Sequence, residues 1–188
     1  MKINKDRYDS AINRLIAELT NAILKRRVLL GFSNVRSFHG LDCFRIAKNA
    51  VSNDVVTHAI RIYDQHKDAA SFWYVIKCNE KFSNAAIKKN NLNLDDIRNL
   101  SEKIRAIRDK THFHIDKNFV NNPSLVWKTA GIAESELDNC LSNTFNLLAE
   151  INFIRTGVLA EIPAYDGSDV AKIMEAFQAI HPESPILV

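Results

Sequence analysis

The segment Arg108-Asp109-Lys110-Thr111-His112-Phe113-His114 gathers, within seven residues, the groups that RNA cleavage needs. Arg108 offers a permanent positive charge and a planar fork of donors matched to a phosphate. His114 titrates near neutral pH and can move a proton to or from a ribose hydroxyl or a leaving oxygen. Asp109 can orient either partner or hold the imidazole in one tautomer. The nucleophile in such a cleavage is the substrate's own neighbouring 2′-hydroxyl, so neither a metal nor another cofactor is expected. Arg105, Lys110, His112 and Lys117 surround these three with groups suited to an RNA backbone.

Other chemistries leave no comparable trace. The chain has no phosphate-cradling glycine loop, no GxSxG elbow, no HExxH helix and no CxxC pair. His39, His58, His66 and His181 are scattered without ligand spacing and read as ordinary surface or packed histidines. Tyr63-Asp64, Trp73 and Trp127 read as core or boundary residues. Cys43, Cys78 and Cys140 are far apart and odd in number, which fits reduced, mostly buried thiols rather than disulfides or a zinc site.

Helical period dominates the elements that must carry the segment. Tyr8, Ile12, Leu15, Leu19 and Ile23 recur at steps of three and four and predict a helix to about Leu30. A second runs from near Leu41 to Tyr63, with Phe44, Ala47, Val51, Val55 and Ile62 on its stripe. Ala69–Lys89 reads as one or two shorter helices carrying Phe72-Trp73-Tyr74. Asn93 is an N-cap, with Asp95 and Asp96 complementing the dipole of a helix that buries Ile97, Leu100, Ile104 and Ile107. Asn121-Asn122-Pro123 marks a loop. Another long helix spans about Glu134 to Val158, with Leu137, Leu141, Thr144, Leu148 and Ile151 inward. Ser168 caps a last short helix to Ile180, anchored by Ile173 and Phe177. The expected architecture is all-α: one domain over 1–188, an antiparallel bundle of four to five long helices with its core in about 5–160 and a short helix at about 168–180.

This periodicity bears directly on the chemistry. The buried stripe of the Asn93-capped helix continues at Thr111 and His114, so His114 is expected to point inward. Six residues of regular helix turn through about 600°, which leaves Arg108 roughly 120° away from His114. A straight helix aligns Arg105, Arg108 and His112 instead. Direct cooperation therefore needs a distorted helix, side chains meeting across a groove, or a second subunit. The competing reading is a buried histidine beside a solvated charged face.

Composition narrows the partners. With 46% hydrophobic and 25% charged residues, five glycines and four prolines in 188 residues, the chain reads as globular, and no apolar run suits a membrane span. Residues 134–188 hold nine acidic and two basic side chains, which leaves 23 basic and 13 acidic in 1–133. The basic region suits a polyanion, and the acidic one could dock a basic protein. No secretory leader is expected at the N-terminus, so the expected compartment is the cytoplasm.

A helical bundle whose late helix carries an Arg, then a polar residue, then a His four to six positions on, resembles the HEPN superfamily; Arg108-Asp109 and His114 fit with five residues between Arg and His. The string RDKTHFHID, with AIRIYDQHKDAASFWYVI (Ala59–Ile76) upstream, resembles the AbiU-like branch, named for phage abortive infection. The resemblance covers most of residues 5–160. It implies an all-α homodimer with two copies of the motif lining a shared cleft, and a metal-independent endoribonuclease that leaves a 2′,3′-cyclic phosphate. Arg108 would stabilise the charged transition state, Asp109 would orient it, and His114 would act as general acid or base. A nucleotidyltransferase-type antitoxin is a partner of many such proteins. In some, that partner modifies a Tyr two positions after the His, where this chain has Asp116. The alternative is a non-catalytic helical dimer that binds RNA or a protein partner.

Overall fold

The computed structural model describes residues 5–32, 41–90, 92–112 and 124–180. Eight α-helices and no strand among the described residues make up the all-α architecture expected above. They are α1 (Lys5–Gly31), α2 (Asp42–Tyr63), α3 (Phe72–Cys78), α4 (Glu80–Lys89), α5 (Leu94–Ile107), α6 (Ser124–Ala130), α7 (Glu134–Thr156) and α8 (Ser168–Ile180). Ion pairs give their directions. Glu18 meets His58 and Lys25 meets Asp54, so α1 and α2 run antiparallel; Asp9 meets Arg155 and Arg26 meets Asp138, so α1 and α7 do too.

The core is the sum of the stripes. Tyr8, Ile12, Leu15 and Leu19 of α1 are buried with Ile62 of α2, Ile97, Leu100 and Ile104 of α5, and Leu141, Leu148 and Ile151 of α7. Each such side chain taken fully out of water contributes about 1.5–3 kcal/mol. At the start of α5, the Asn93 side chain accepts the Asp95 N–H at 3.0 Å. Among the described residues no helix is long and apolar enough to cross a membrane.

Several expectations need correction. Ala47 is exposed, and Phe44 and Val51 are only half-buried, because the N-terminal half of α2 leaves the core. The Phe44 ring packs edge-on against Phe177 of α8 instead, 4.9 Å between centroids. On α8, Met174 is the buried anchor and Ile173 stays 47% exposed: the helix docks on the face through Val170, Met174 and Phe177 rather than the one through Ile173. Cys43 is exposed and Cys78 half-buried, so only Cys140 is a core thiol; burial, aided by nearby Glu136 and Asp96, pushes that thiol up to about 11. Leu137 is half-buried. Ser168 opens α8 as its first residue, its N–H taken by the Asp166 carboxylate. Helix α7 ends at Thr156, where Gly157 turns left-handed and donates to Phe153 O. The short α6 was not expected, and the Asn121–Pro123 loop lies outside the described residues.

The junction of α1 with α8 is a backbone-to-backbone contact. Gly167 has φ +78°, and a Cβ there would lie 2.1 Å from the Arg27 carbonyl oxygen; one on Gly31 would lie 2.5 Å from the Gly167 oxygen. The Arg27 guanidinium braces the approach by donating to the carbonyls of Pro163 and Tyr165. Gly167→Ala is expected to cost about 2–4 kcal/mol, combining left-handed backbone strain with overpacking. A urea midpoint equal to that of the parent protein would show that this contact is dispensable.

Candidate active site

Helix α5 does not end in a regular turn. Its last α-helical residue, Ile107, is fully buried beside Val56 and Val126, and the chain continues as a π-helical turn over Arg108–His112. A π turn bonds i→i+5, so it changes the angular advance per residue and breaks the straight-helix alignment. The distortion falls at the start of the chemically suggestive segment.

Arg108 sits where the end of α5 faces the end of α2. Its Nε donates to Asp109 Oδ1 at 2.8 Å, and its Nη1 lies 3.5 Å from Asp64 Oδ1. Asp109 also faces Arg105, whose Nε is 3.8 Å from Oδ2, so one carboxylate bridges two guanidinium groups. Asp64 terminates α2, and the same Oδ1 accepts the backbone N–H of His66 at 3.0 Å. That bond fixes the loop between α2 and α3 against Arg108.

Between these parts lies a cleft of about 370 Å³, whose walls include Asp64, His66, Lys67, Arg105 and Arg108. Arg105, Arg108, Lys67 and a histidine thus face Asp64 on the cleft wall, with Asp109 paired to both arginines beside it, so three cations stand against two carboxylates in a site that favours an anion. Tyr63 forms part of the wall, but its hydroxyl is turned into the core, 3.1 Å from Thr144 Oγ1. Burial pushes this phenol far above its ordinary value, so it packs rather than transfers protons.

Of the residues singled out in the sequence, Arg105, Arg108 and Asp109 come together here. Lys110 does not: it lines a separate hollow of about 280 Å³ against α6, with Lys103 and Val126. His112 closes the π-helical turn. His114, Asp116 and Lys117 lie outside the described residues. Among the described residues, no group of three His, Cys, Asp or Glu side chains is placed to hold a metal ion.

Two features escaped the sequence reading. Asp64, His66 and Lys67 reach the cleft from the far end of α2, and only the fold brings them to Arg108. The second is a charge network between α1 and α2, where His58, read above as an ordinary histidine, is buried. His58 Nδ1 is 2.5 Å from Glu18 Oε2, and His58 Nε2 is 2.8 Å from Lys25 Nζ. Lys25 also pairs with Asp54, while Arg14 and Arg61 reach Glu18 at 2.5 and 3.5 Å. Burial alone would raise the Glu18 carboxyl, but its bond to His58 and the charges of His58, Arg14 and Arg61 hold it below the usual range. The sequence did carry a signal: Glu18 falls on the apolar stripe of α1, between Leu15 and Ala22.

No family model, curated protein or solved structure matches this chain.

Proposed function

We propose that the chain is a metal-independent endoribonuclease of HEPN type, acting in the cytoplasm as a homodimer in a phage-defence or toxin–antitoxin system. The observation that carries this reading is Arg108, braced by Asp64 and Asp109 on the wall of a predominantly basic cleft at a π-helical turn. A substrate phosphate entering that cleft competes with Asp64, the more distant carboxylate, while Asp109 keeps the guanidinium plane aligned. His114 takes the proton from the 2′-hydroxyl or gives one to the departing 5′-oxygen. The 2′-oxygen attacks phosphorus, the P–O5′ bond breaks, and a 2′,3′-cyclic phosphate and a 5′-hydroxyl result. Arg105, Lys110, His112 and Lys117 contribute contacts to the flanking RNA backbone. A nucleotidyltransferase-type antitoxin is the partner class that fits this reading, although Asp116 offers no phenol for it to modify.

The test is cleavage of RNA in EDTA by the parent protein and by His114→Ala. The parent is expected to generate cyclic-phosphate ends and His114→Ala to generate none, with unchanged helical circular dichroism. Equal activity in the two proteins would overturn the assignment. RNA binding without product from the parent would favour the non-catalytic helical dimer.

A further inference from the structure

The cleft at Arg108 is not closed at its far end. Gln65, His66 and Lys67 form one wall of it and also one wall of a larger hollow of about 980 Å³. The two hollows therefore meet along the loop between α2 and α3. The larger one is bounded by Arg7 from the start of α1 and by Trp73, Tyr74 and Lys77 of α3. Arg7, Lys67 and Lys77 are exposed, and the acidic residues on the rim are Asp68 and Glu80.

Trp73 is held by specific contacts, and Tyr74 packs in part against the core. Trp73 Nε1 donates to the Tyr63 carbonyl at 3.2 Å, and the Phe72 ring meets the indole edge-on at 5.2 Å. Arg98 lies over the indole, 5.9 Å from the centroid, while Tyr74, half-buried against the core and bonded to Cys78, lines the hollow as its second ring. Cations along a rim, with a ring half-exposed between them, are the combination that holds single-stranded nucleic acid: ammonium groups track the phosphates and the ring takes a base. Duplex RNA keeps its bases stacked on one another and gains nothing from such a ring.

We infer that this second hollow is a subsite for single-stranded RNA, holding the nucleotides that flank the phosphate at Arg108. Lys67 stands at the junction, Lys77 holds the next phosphate and Tyr74 stacks on a base. The inference rests on the ribonuclease reading for its ligand, but its test is binding without turnover.

The probe is a fluorescent single-stranded RNA of about ten nucleotides, titrated by anisotropy onto the His114→Ala protein at several salt concentrations. Added to that background, Lys67→Glu and Lys77→Glu are each expected to weaken binding about tenfold or more and to lower the salt slope by about one. Lys172→Glu, an identical charge change at an exposed position of α8, is expected to alter affinity less than about twofold at moderate salt, where distant charges are screened. Tyr74→Leu keeps the apolar bulk but removes the ring, and is expected to cost about tenfold with the salt slope unchanged. The subsite is refuted if the Lys67 and Lys77 variants match Lys172→Glu, if Tyr74→Leu binds as tightly as its background, or if duplex RNA binds equally well. Failure of cleavage in the parent protein would leave all four affinities readable, so the two readings fail separately.

Discussion

Replacing Arg108 by alanine is expected to slow RNA cleavage by about 10²–10³-fold, the loss typical of removing one preorganised donor from a developing oxyanion. The guanidinium is 22% exposed and braced by Asp109, so it does not have to be ordered when the phosphate arrives. Charge on the phosphorane oxygens grows toward the transition state, and the loss should therefore fall mainly on kcat rather than on KM. Arg108→Lys keeps the charge but loses the planar fork, and is expected to fall between the parent and the alanine variant. A purely structural role predicts otherwise. The pair with Asp64 is partly solvated and its loss should cost no more than about 1 kcal/mol of stability, visible in the urea midpoint. Cleavage by Arg108→Ala at the parental rate would remove Arg108 from the mechanism.

What could be read from the sequence, and what could not, divides by the range of the interaction. Helices α1, α5 and α7 announce themselves because long apolar stripes repeat at helical period, and Asn93 because an N-cap is a local device. Seven residues show no period, which is why α6 went unseen. On α8, Ile173 and Met174 are neighbours of equal hydrophobic appeal, and long-range contacts such as Gly31 with Gly167 and Phe44 with Phe177 set which one faces inward. The pairing of Arg108 with Asp109 is a neighbour contact and was legible. Asp64 and Lys67 belong to another helix end, and no spacing rule links them to Arg108. The π-helical turn is likewise a register defect that apolar periodicity cannot display. Straight-helix geometry nevertheless showed that a distortion or a second subunit was needed for Arg108 to meet His114.

A second large effect concerns stability, at the Glu18–His58 pair. Both side chains are buried, 4% and 6% exposed, and each is the other's closest polar partner or nearly so. Glu18 is the carboxylate partner of the buried His58 and the shared counter-charge of Arg14 and Arg61, and removing it leaves all three without that partner, at a cost of about 3–5 kcal/mol. Glu18→Ala is therefore expected to lower the Tm by about 6–20 °C. The pH dependence has a definite sign. Glu18 is held below its ordinary value of 4.5 in the folded protein, so its ionic contribution is complete above that value and is lost as pH falls through the lower, folded one. Glu18→Gln keeps the shape without the charge. The stability gap between it and the parent should be widest near neutral pH and shrink below about pH 4.5, as urea unfolding at pH 3, 5 and 7 would show. A gap independent of pH would mean that packing rather than charge holds this site. The double variant Glu18→Leu/His58→Leu discriminates further, because an apolar pair of similar bulk no longer buries an unpartnered polar group. It is expected to regain most of the stability lost in Glu18→Ala, leaving Lys25 paired with Asp54 at the surface.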